Sequence, residues 1–294
     1  MLQILLMLAF FIVLIFPMGK YLYHIAVNKR TFADPVFDRV DNAVYRVCGI
    51  DKKEMNWKQY ALAMLATNAM MVLIGYLLLR LQGLLFLNPT GIGAMEPTLS
   101  FNTIISFMTN TNLQHYSGES GLTYLSQMAV IIFMMFTSAA TGFSVAIAAV
   151  CGLAGQTKTM GNFYADLVRI TTRVLLPLSL LIGLVLVSQG VAQNLSPNVT
   201  VQTMEGKYQD IAMGPMAALE SIKHLGTNGG GFLGANASAP FENPNVLTNM
   251  IEMLSMMILP GACVVMFGLM VRNRTKDSEK SQEKKGLLGS EAKP

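Results

Sequence analysis

The stretch PMAALESIKHLGTNGGGF, residues 215–232, joins a short amphipathic segment to an Asn that is followed by three consecutive glycines. Pro215 suits the first turn of a helix, because the N–H that proline lacks is not needed there. The segment from Pro215 to Leu225 is too short to cross a bilayer, which takes about 20 apolar residues. The stretch therefore predicts a half-helix that enters a membrane, followed by an irregular polar loop at GTNGGGF, residues 226–232.

A second stretch earlier in the chain has the same arrangement. The segment PTLSFNTIISFM, residues 97–108, also begins with proline and is followed by the polar loop TNTNLQHYSG at 109–118. Both loops contain a Thr-Asn pair, at 111–112 and at 227–228. A long apolar segment follows each loop, so the sequence predicts an internal repeat of architecture, although the two copies share little sequence identity.

The composition predicts an integral membrane protein. Of the 294 residues, 52% are hydrophobic and 13% are charged, and the mean hydropathy is +0.46. That charged share is about half of what a soluble domain carries. Five segments are long and apolar enough to span a bilayer. They are residues 2–19, 60–79, 122–150, 167–187 and 246–271.

These features predict an all-α integral membrane protein with one extra N-terminal helix and two helix–half-helix–helix repeats, giving five spans and two re-entrant pore loops. No basic residue precedes the first apolar segment and no A-x-A site follows it, which favours a retained helix over a signal peptide. The predicted divisions are the extra helix at 1–27, a cytoplasmic loop at 28–59, the repeats at 60–150 and 151–271, and a disordered cytoplasmic tail at 272–294.

The basic residues predict the orientation of the spans. Eighteen of the 21 Lys and Arg residues lie in three segments, with eight in 20–58, three in 158–173 and seven from 272 onward. The other two connections hold only Arg80, Lys207 and Lys223. Because Lys and Arg accumulate in cytoplasmic loops, we expect the N-terminus outside and the tail inside the cell.

The polar loops have the chemistry of a cation site rather than of a phosphate site. Irregular backbone survives at membrane depth only where it lines water or is buried in protein. A cation that loses its hydration shell needs replacement oxygens, which backbone carbonyls supply. A half-helix that enters from outside directs its negative C-terminal end toward that cation. A P-loop is excluded because no Lys follows the glycines.

The sequence gives no support to several other classes of function. No basic patch interleaved with aromatics is present, which argues against nucleic-acid binding. Cys48, Cys151 and Cys263 lie far apart, so the case for a disulfide or a cysteine metal site is weak. The sequence contains no D-K-T-G motif and no nucleotide-binding motif. Any energy from ATP would therefore have to come from a partner.

The segments TNTNLQHYSGES, SAATGFSVAIA, GNFYADLVRITTRVLLPLS and HLGTNGGGFLGANASAPFENPNVLTN resemble the potassium-translocating A subunit of the bacterial Kdp ATPase. That family is related to the Trk, Ktr and HKT potassium transporters. The resemblance covers residues 1 to about 270. It implies a protein of the bacterial cell membrane that binds K⁺ ahead of transport, which a separate ATP-hydrolysing P-type subunit drives together with small accessory subunits.

The resemblance also implies which residues form a potassium filter. The first filter segment is Asn110, Thr111 and Asn112, with Gln114 just beyond it. The second is Thr227, Asn228 and Gly229.

The sequence departs from the family pattern in carrying two repeats where the family has four. Half a filter cannot enclose an ion, so we expect a second chain to supply the other two repeats, or else a truncated product. Three functions follow as hypotheses. They are a translocating subunit or half-subunit, a passive channel-like dimer, and a non-transporting paralogue that interacts with or regulates the complex.

Some charged residues outside the filter also invite interpretation. Glu119 and Glu242 follow the two loops and are expected to face an outer vestibule, where they either concentrate cations or are ordinary solvated charges. The acidic residue Glu252 in the fifth span indicates either a buried partner or ion path, or a side chain that reaches the membrane interface.

Asp166, Arg169 and Arg173 share one helix face and either anchor that helix or dock a partner. His115 and His224 flank the filter loops without a third ligand at a suitable spacing, so no metal site other than that for K⁺ is expected.

Overall fold

The computed structural model describes residues 2–31, 34–153 and 160–290, and this part of the chain is mostly helical. The helices are α1 Leu2–Ala26, α2 Asp34–Cys48, α3 Trp57–Leu81, α4 Pro97–Met108, α5 Tyr124–Leu153, α6 Phe163–Ser188, α7 Met216–Leu225 and α8 Val246–Ser290. Short helical turns lie at Gln82–Leu84 and Gly118–Gly121. An antiparallel hairpin pairs β1 Val199–Gln202 with β2 Tyr208–Ile211, with Val199 opposite Ile211.

Five of these helices are long and apolar enough to cross a membrane within the described ranges. They are α1, α3, α5, α6 and the first part of α8, Val246–Arg272. The prediction of an all-α integral membrane protein with five spans is confirmed. The first span is longer than expected, because α1 continues through Pro17 to Ala26.

The two short helices begin where the prolines predicted them. Pro97 opens α4, and the side chain of Glu96 accepts a hydrogen bond from the backbone N–H of Leu99 at 2.8 Å. This contact caps one of the N–H groups that a helix start leaves without a partner. Pro215 directly precedes α7. The chain therefore runs long helix, short helix, loop, long helix twice, from α3 to α5 and from α6 to α8.

Helices α1 and α8 pack closely along their lengths. A Cβ atom placed on Gly261 of α8 would lie 2.7 Å from Cζ of Phe11 and 2.9 Å from Cγ2 of Ile15, both on α1. A Cβ atom on Gly19 of α1 would lie 2.6 Å from Cβ of Val265. In a membrane, where lipid is as apolar as the helices, such close approach supplies the packing that holds helices together.

Arg173 joins α6 to α2. Its guanidinium contacts Asp34 at 2.6 Å, Asp38 at 2.5 Å and Asp41 at 2.8 Å. Arg173 lies in a π-helical segment of α6, Thr171–Leu175. Burial alone would raise the pKa of Asp34, but hydrogen bonds from Thr31 and the charge of Arg173 outweigh it and hold that pKa below its usual range. Arg173 therefore anchors a structural element within this chain.

The two neighbours of Arg173 on the same face also have partners within the chain. Asp166 accepts a hydrogen bond from the Tyr60 hydroxyl at 3.1 Å. Arg169 donates to the side chain of Asn28. Of the two interpretations offered for this charged face, the described contacts favour anchoring.

The tail expected to be disordered is helical as far as Ser290, since α8 continues without a break from the fifth span. The prediction weighed the charge of the tail but not its helix propensity. Lys, Glu, Gln and Leu are good helix formers, and residues 272–290 contain no proline. A helix that is already nucleated gains one hydrogen bond for each residue it adds. Residues 291–294 lie outside the described part.

Candidate functional site

The two polar loops lie side by side. We call residues 109–114 the first loop and residues 226–231 the second loop. The Asn112 side-chain amide donates to Oδ1 of Asn228 at 3.0 Å. The Asn110 side-chain amide donates to the backbone oxygen of Gly226 and to Oγ1 of Thr227, each at 3.3 Å. Residues more than 100 positions apart in the sequence therefore form one hydrogen-bonded site.

Each loop leaves the C-terminal end of its short helix through left-handed backbone. Asn110 has φ 59°, Asn112 has φ 53° and Thr227 has φ 55°. Asparagine tolerates this region, whereas a β-branched threonine rarely adopts it. A non-glycine residue held there persists only when its surroundings fix it, and such residues cluster at functional sites. The backbone of both loops is therefore set by tertiary contacts.

The asparagine side chains point into the protein rather than out of the loops. Asn112 and Asn228 are each 5% exposed. The Ser138 hydroxyl of α5 lies 3.4 Å from Oδ1 of Asn228 and 3.3 Å from Oδ1 of Asn110, and it can donate its one hydrogen to either oxygen. The Asn228 amide donates to the backbone oxygen of Met135 at 3.3 Å. These amides brace the loops against α5, while Thr111 and Thr227 are exposed.

Gln114 also braces the loops. Its amide donates to the backbone oxygen of Gly231 at 3.1 Å, and its Oε1 accepts from the N–H of Gly231 at 2.9 Å. The N–H of Gly230 donates to Oδ1 of Asn236 at 2.6 Å. Gly229 lies against Asn112, since a Cβ placed there would be 3.5 Å from both Cβ and O of Asn112. Oδ1 of Asn112 has no hydrogen-bond partner among the described residues, so this oxygen is available to a ligand in addition to backbone carbonyls and threonine hydroxyls of the loops.

A cleft of about 320 Å³ opens at the start of both loops. It is lined by Thr109 and Asn110 of the first loop, by Gly226 and Thr227 of the second, and by polar side chains of the spans such as Asn68 and Thr141. Apolar side chains such as Met108 and Phe143 complete the lining, so the cleft is of mixed character and lies next to the backbone of both loops.

Glu242 lies behind the second loop and not in an outer vestibule. It is fully buried, and its Oε1 accepts a hydrogen bond from the N–H of Leu233 at 2.8 Å. The vestibule prediction for Glu242 is wrong, because the chain after the second loop folds this side chain inward. Burial, with a further contribution from the charge of Glu220, raises the pKa of Glu242 to about 7. Glu119 is half-buried in the helical turn Gly118–Gly121, and its vestibule role stays a prediction.

Glu252 has a buried partner, one of the alternatives predicted for it. His224 Nε2 lies 3.4 Å from Oε2 of Glu252 and 3.3 Å from Oε2 of Glu220. The sequence argument that His224 lacks further ligands is therefore wrong, since these three residues offer ligand atoms within 4.8 Å of one another. Glu220 precedes His224 by one helical turn and was visible as an i, i+4 pair. His115 is exposed.

Sequence reasoning missed two kinds of residue at this site. Ser138 and Met135 of α5 hold the loop asparagines from behind, and the run of small polar residues around Ser138 was the only signal for them. Lys223 is 1% exposed and forms an ion pair with Glu220. From sequence alone, a lysine three residues after a glutamate on a short helix is interpreted as a solvent-exposed ion pair. Only the position of the helix within the protein shows that the pair is buried.

The chain is similar in sequence to known proteins. The family described as "Potassium-transporting ATPase A subunit" matches residues 5–278. A Clostridium acetobutylicum protein named potassium-transporting ATPase potassium-binding subunit is 53% identical over 272 residues, which is 92% of this chain and 49% of that protein.

Two further relatives carry the same name. The one from Caldanaerobacter subterraneus subsp. tengcongensis is 56% identical over 269 residues, 91% of this chain and 48% of its own length. The one from Geobacillus kaustophilus is 54% identical over 264 residues, with shares of 90% and 47%. The chain spans about half the length of the curated relatives it matches. Because the family match covers most of the sequence, the chain belongs to the family of potassium-transporting ATPase A subunits.

Proposed function

We propose that this chain supplies two of the segments of a potassium filter in an ATP-driven potassium uptake complex. The observation that carries the proposal is the hydrogen bond between Asn112 and Asn228, which holds two loops side by side at the C-terminal ends of two short helices. That arrangement places carbonyl-rich backbone at the negative ends of two helix dipoles, where a cation is stabilised.

In this proposal, backbone carbonyls of residues 110–112 and 227–229 bind extracellular K⁺. Gln114 holds Gly231 in place, and the buried asparagines hold the backbone against α5. The relatives are about twice as long as this chain, so the other filter segments come from outside these 294 residues. A second chain is the partner that we expect to supply them.

The remaining partners follow from the same proposal. ATP is hydrolysed on a separate P-type subunit, with small accessory subunits, and this chain binds no nucleotide. The complex lies in the bacterial cell membrane. The N-terminus of this chain is outside and α2 is in the cytoplasm, which agrees with the eight Lys and Arg residues between Lys20 and Lys58.

Growth of potassium-uptake-deficient bacteria at micromolar K⁺ tests the proposal. The chain is expressed with the ATP-hydrolysing partner subunits and a polypeptide carrying the other two repeats, and then with each of these omitted. We expect growth only with the full set. Growth without the ATPase subunit would contradict the proposal and favour a passive channel-like dimer, which K⁺ flux into proteoliposomes containing the chain alone would reveal. No growth under any condition would favour a non-transporting paralogue.

A further inference from the structure

Five ionisable side chains are buried together behind the second loop. They are Glu220, Lys223 and His224 of α7, Glu242 of the following segment, and Glu252 of α8, and each is at most 5% exposed. We call these five residues the ionic cluster. Burying a charged side chain in a membrane protein is costly. Buried ionisable residues are therefore usually paired with one another or have a function.

The cluster is continuous with the backbone of the second loop. A Cβ atom placed on Gly231 would lie 3.0 Å from Oε1 of Glu242, 3.3 Å from Oε1 of Glu220 and 3.5 Å from Nζ of Lys223. On its other side, Gly231 exchanges two hydrogen bonds with Gln114 of the first loop. Gly231 is thus held between the first loop and the ionic cluster, where a side chain would fit only if its neighbours moved by a few tenths of an ångström.

The contacts within the cluster join three separate elements. Lys223 forms an ion pair with Glu220 on α7, and His224 lies between Glu220 and Glu252 of α8. Glu242 accepts the N–H of Leu233, two residues beyond Gly231. These contacts connect α7 to α8, and Glu242 connects the cluster to the backbone that follows the second loop.

The charges in the cluster can balance without a bound metal ion. Lys223 pairs with Glu220, His224 lies within ion-pair distance of both Glu220 and Glu252, and cationic and acidic side chains therefore face one another within the cluster. A low-dielectric interior strongly favours such balance. A divalent metal between Glu220, His224 and Glu252 would have to share the Glu220 carboxylate with the Lys223 ammonium, and the two cations would repel each other.

We propose that the ionic cluster is a positioning unit that fixes the backbone of residues 229–233 and thereby sets the K⁺ affinity of the filter without contacting the ion. This inference rests on the proposed function. It adds five residues, none of them in the predicted filter, whose charge balance governs ion binding.

Charge-balance variants test the inference in the assembled uptake complex. Glu220→Gln removes the carboxylate that pairs with Lys223 and Lys223→Met removes the ammonium that pairs with Glu220, while the double variant removes both partners of this ion pair. We expect each single variant to raise the K⁺ concentration for half-maximal uptake by about tenfold or more, because an unpaired buried charge is strongly destabilising. The double variant should recover most of that loss, and the maximal rate should change less than the affinity. The matched control is Thr200→Ala on the exposed outer hairpin.

Amide hydrogen exchange at residues 229–233 of the chain alone gives a second readout that does not need transport. Exchange should speed up in both single variants and slow again in the double variant. Unchanged K⁺ affinity and exchange in the single variants, or no recovery in the double variant, would overturn the inference. A stoichiometric divalent metal in the purified chain would also overturn it. Absence of K⁺ uptake by the wild-type complex would instead refute the proposed function, and the exchange measurement would still decide the present inference.

A second pair of variants tests the positioning role of the ionic cluster if the Glu220 and Lys223 variants do not accumulate in the membrane. Glu242→Gln keeps a side-chain oxygen that can accept the hydrogen bond from the N–H of Leu233. Glu242→Asp shortens the side chain by one methylene and moves the oxygen away from that N–H. We expect Glu242→Asp to lose more K⁺ affinity than Glu242→Gln. The reverse order would count against a positioning role.

Discussion

The side-chain amide of Asn112 donates a hydrogen bond to the side-chain oxygen of Asn228 at 3.0 Å, and both residues are almost fully buried. This contact joins the first and second loops directly. Each asparagine follows a threonine that is exposed, so one face of the loop pair is braced by the protein and the other is open.

Replacing either asparagine should weaken K⁺ binding. In Asn112→Ala, the Asn228 oxygen loses its donor at 3.0 Å and keeps the Ser138 hydroxyl at 3.4 Å, and the loss of one such hydrogen bond costs about 0.5–1.5 kcal/mol. Half-saturation of K⁺ uptake in the assembled complex measures the effect for Asn112→Ala, Asn228→Ala and the double variant. We expect a coupling energy of about 1 kcal/mol between the two sites. Strictly additive effects would mean that this hydrogen bond does not contribute to ion binding.

Neighbouring glycines in the second loop should respond very differently to alanine. Gly230 has φ 79°, a left-handed conformation that disfavours a side chain, and its Cβ would collide with Oε1 of Gln114. At Gly229 the Cβ would make ordinary contacts with Asn112 at 3.5 Å.

Gly230→Ala should therefore lose K⁺-over-Na⁺ discrimination in uptake assays, while Gly229→Ala changes it little. A β-branched residue at Gly229 restricts the backbone and crowds Asn112, so Gly229→Val should weaken selectivity more than Gly229→Ala. Equal selectivity in Gly230→Ala and wild type would contradict the backbone account.

The sequence predicted the positions of the loops because their determinants are local. Pro97 and Pro215 start the short helices, and Asn and Gly residues permit the backbone that follows. The burial of Glu242 and the bridge from Gln114 to Gly231 depend on how distant segments pack, and no local pattern encodes that. The same is true of Arg173, whose three carboxylate partners belong to another helix. The helical tail was missed for a different reason, since charge was weighed above propensity.

Glu242 should make the stability of the chain depend on pH. Its pKa is about 7 in the fold and about 4.5 when unfolded, so the folded state retains a proton that the unfolded state releases. Its contribution to stability is thus fully present below about pH 4.5 and is lost as the pH rises through about 7. Thermal unfolding in detergent at about pH 5 and about pH 8 should show a higher midpoint at the lower pH from this group.

Glu242→Gln removes the titrating group and provides the comparison for that pH experiment. The difference between the unfolding midpoints at the two pH values should be smaller in the variant than in the wild type. An identical pH dependence in both proteins would show that Glu242 does not retain its proton in the fold.

Two glycines of α8 should separate packing from helix propensity. Gly261 meets Phe11 and Ile15 of α1, whereas a Cβ on Gly268 would meet nothing within 4 Å. Gly261→Ala should destabilise the chain by about 1–3 kcal/mol through overpacking. Gly268→Ala, as the matched control, should be neutral or stabilising by up to about 1 kcal/mol. Thermal unfolding in one detergent compares the two, and an equal effect would argue against close packing of α1 on α8.

Locating a heavy monovalent cation in the assembled complex tests the central claim most directly. Thallium(I) is a close mimic of K⁺ and can be identified by its scattering in a structure determined at low K⁺. We expect it among the backbone oxygens of residues 110–112 and 227–229, displaced by added K⁺ but not by the same concentration of Na⁺. Thallium bound only at the ionic cluster, or absent from the two loops, would contradict the assignment of these loops as half of a potassium filter.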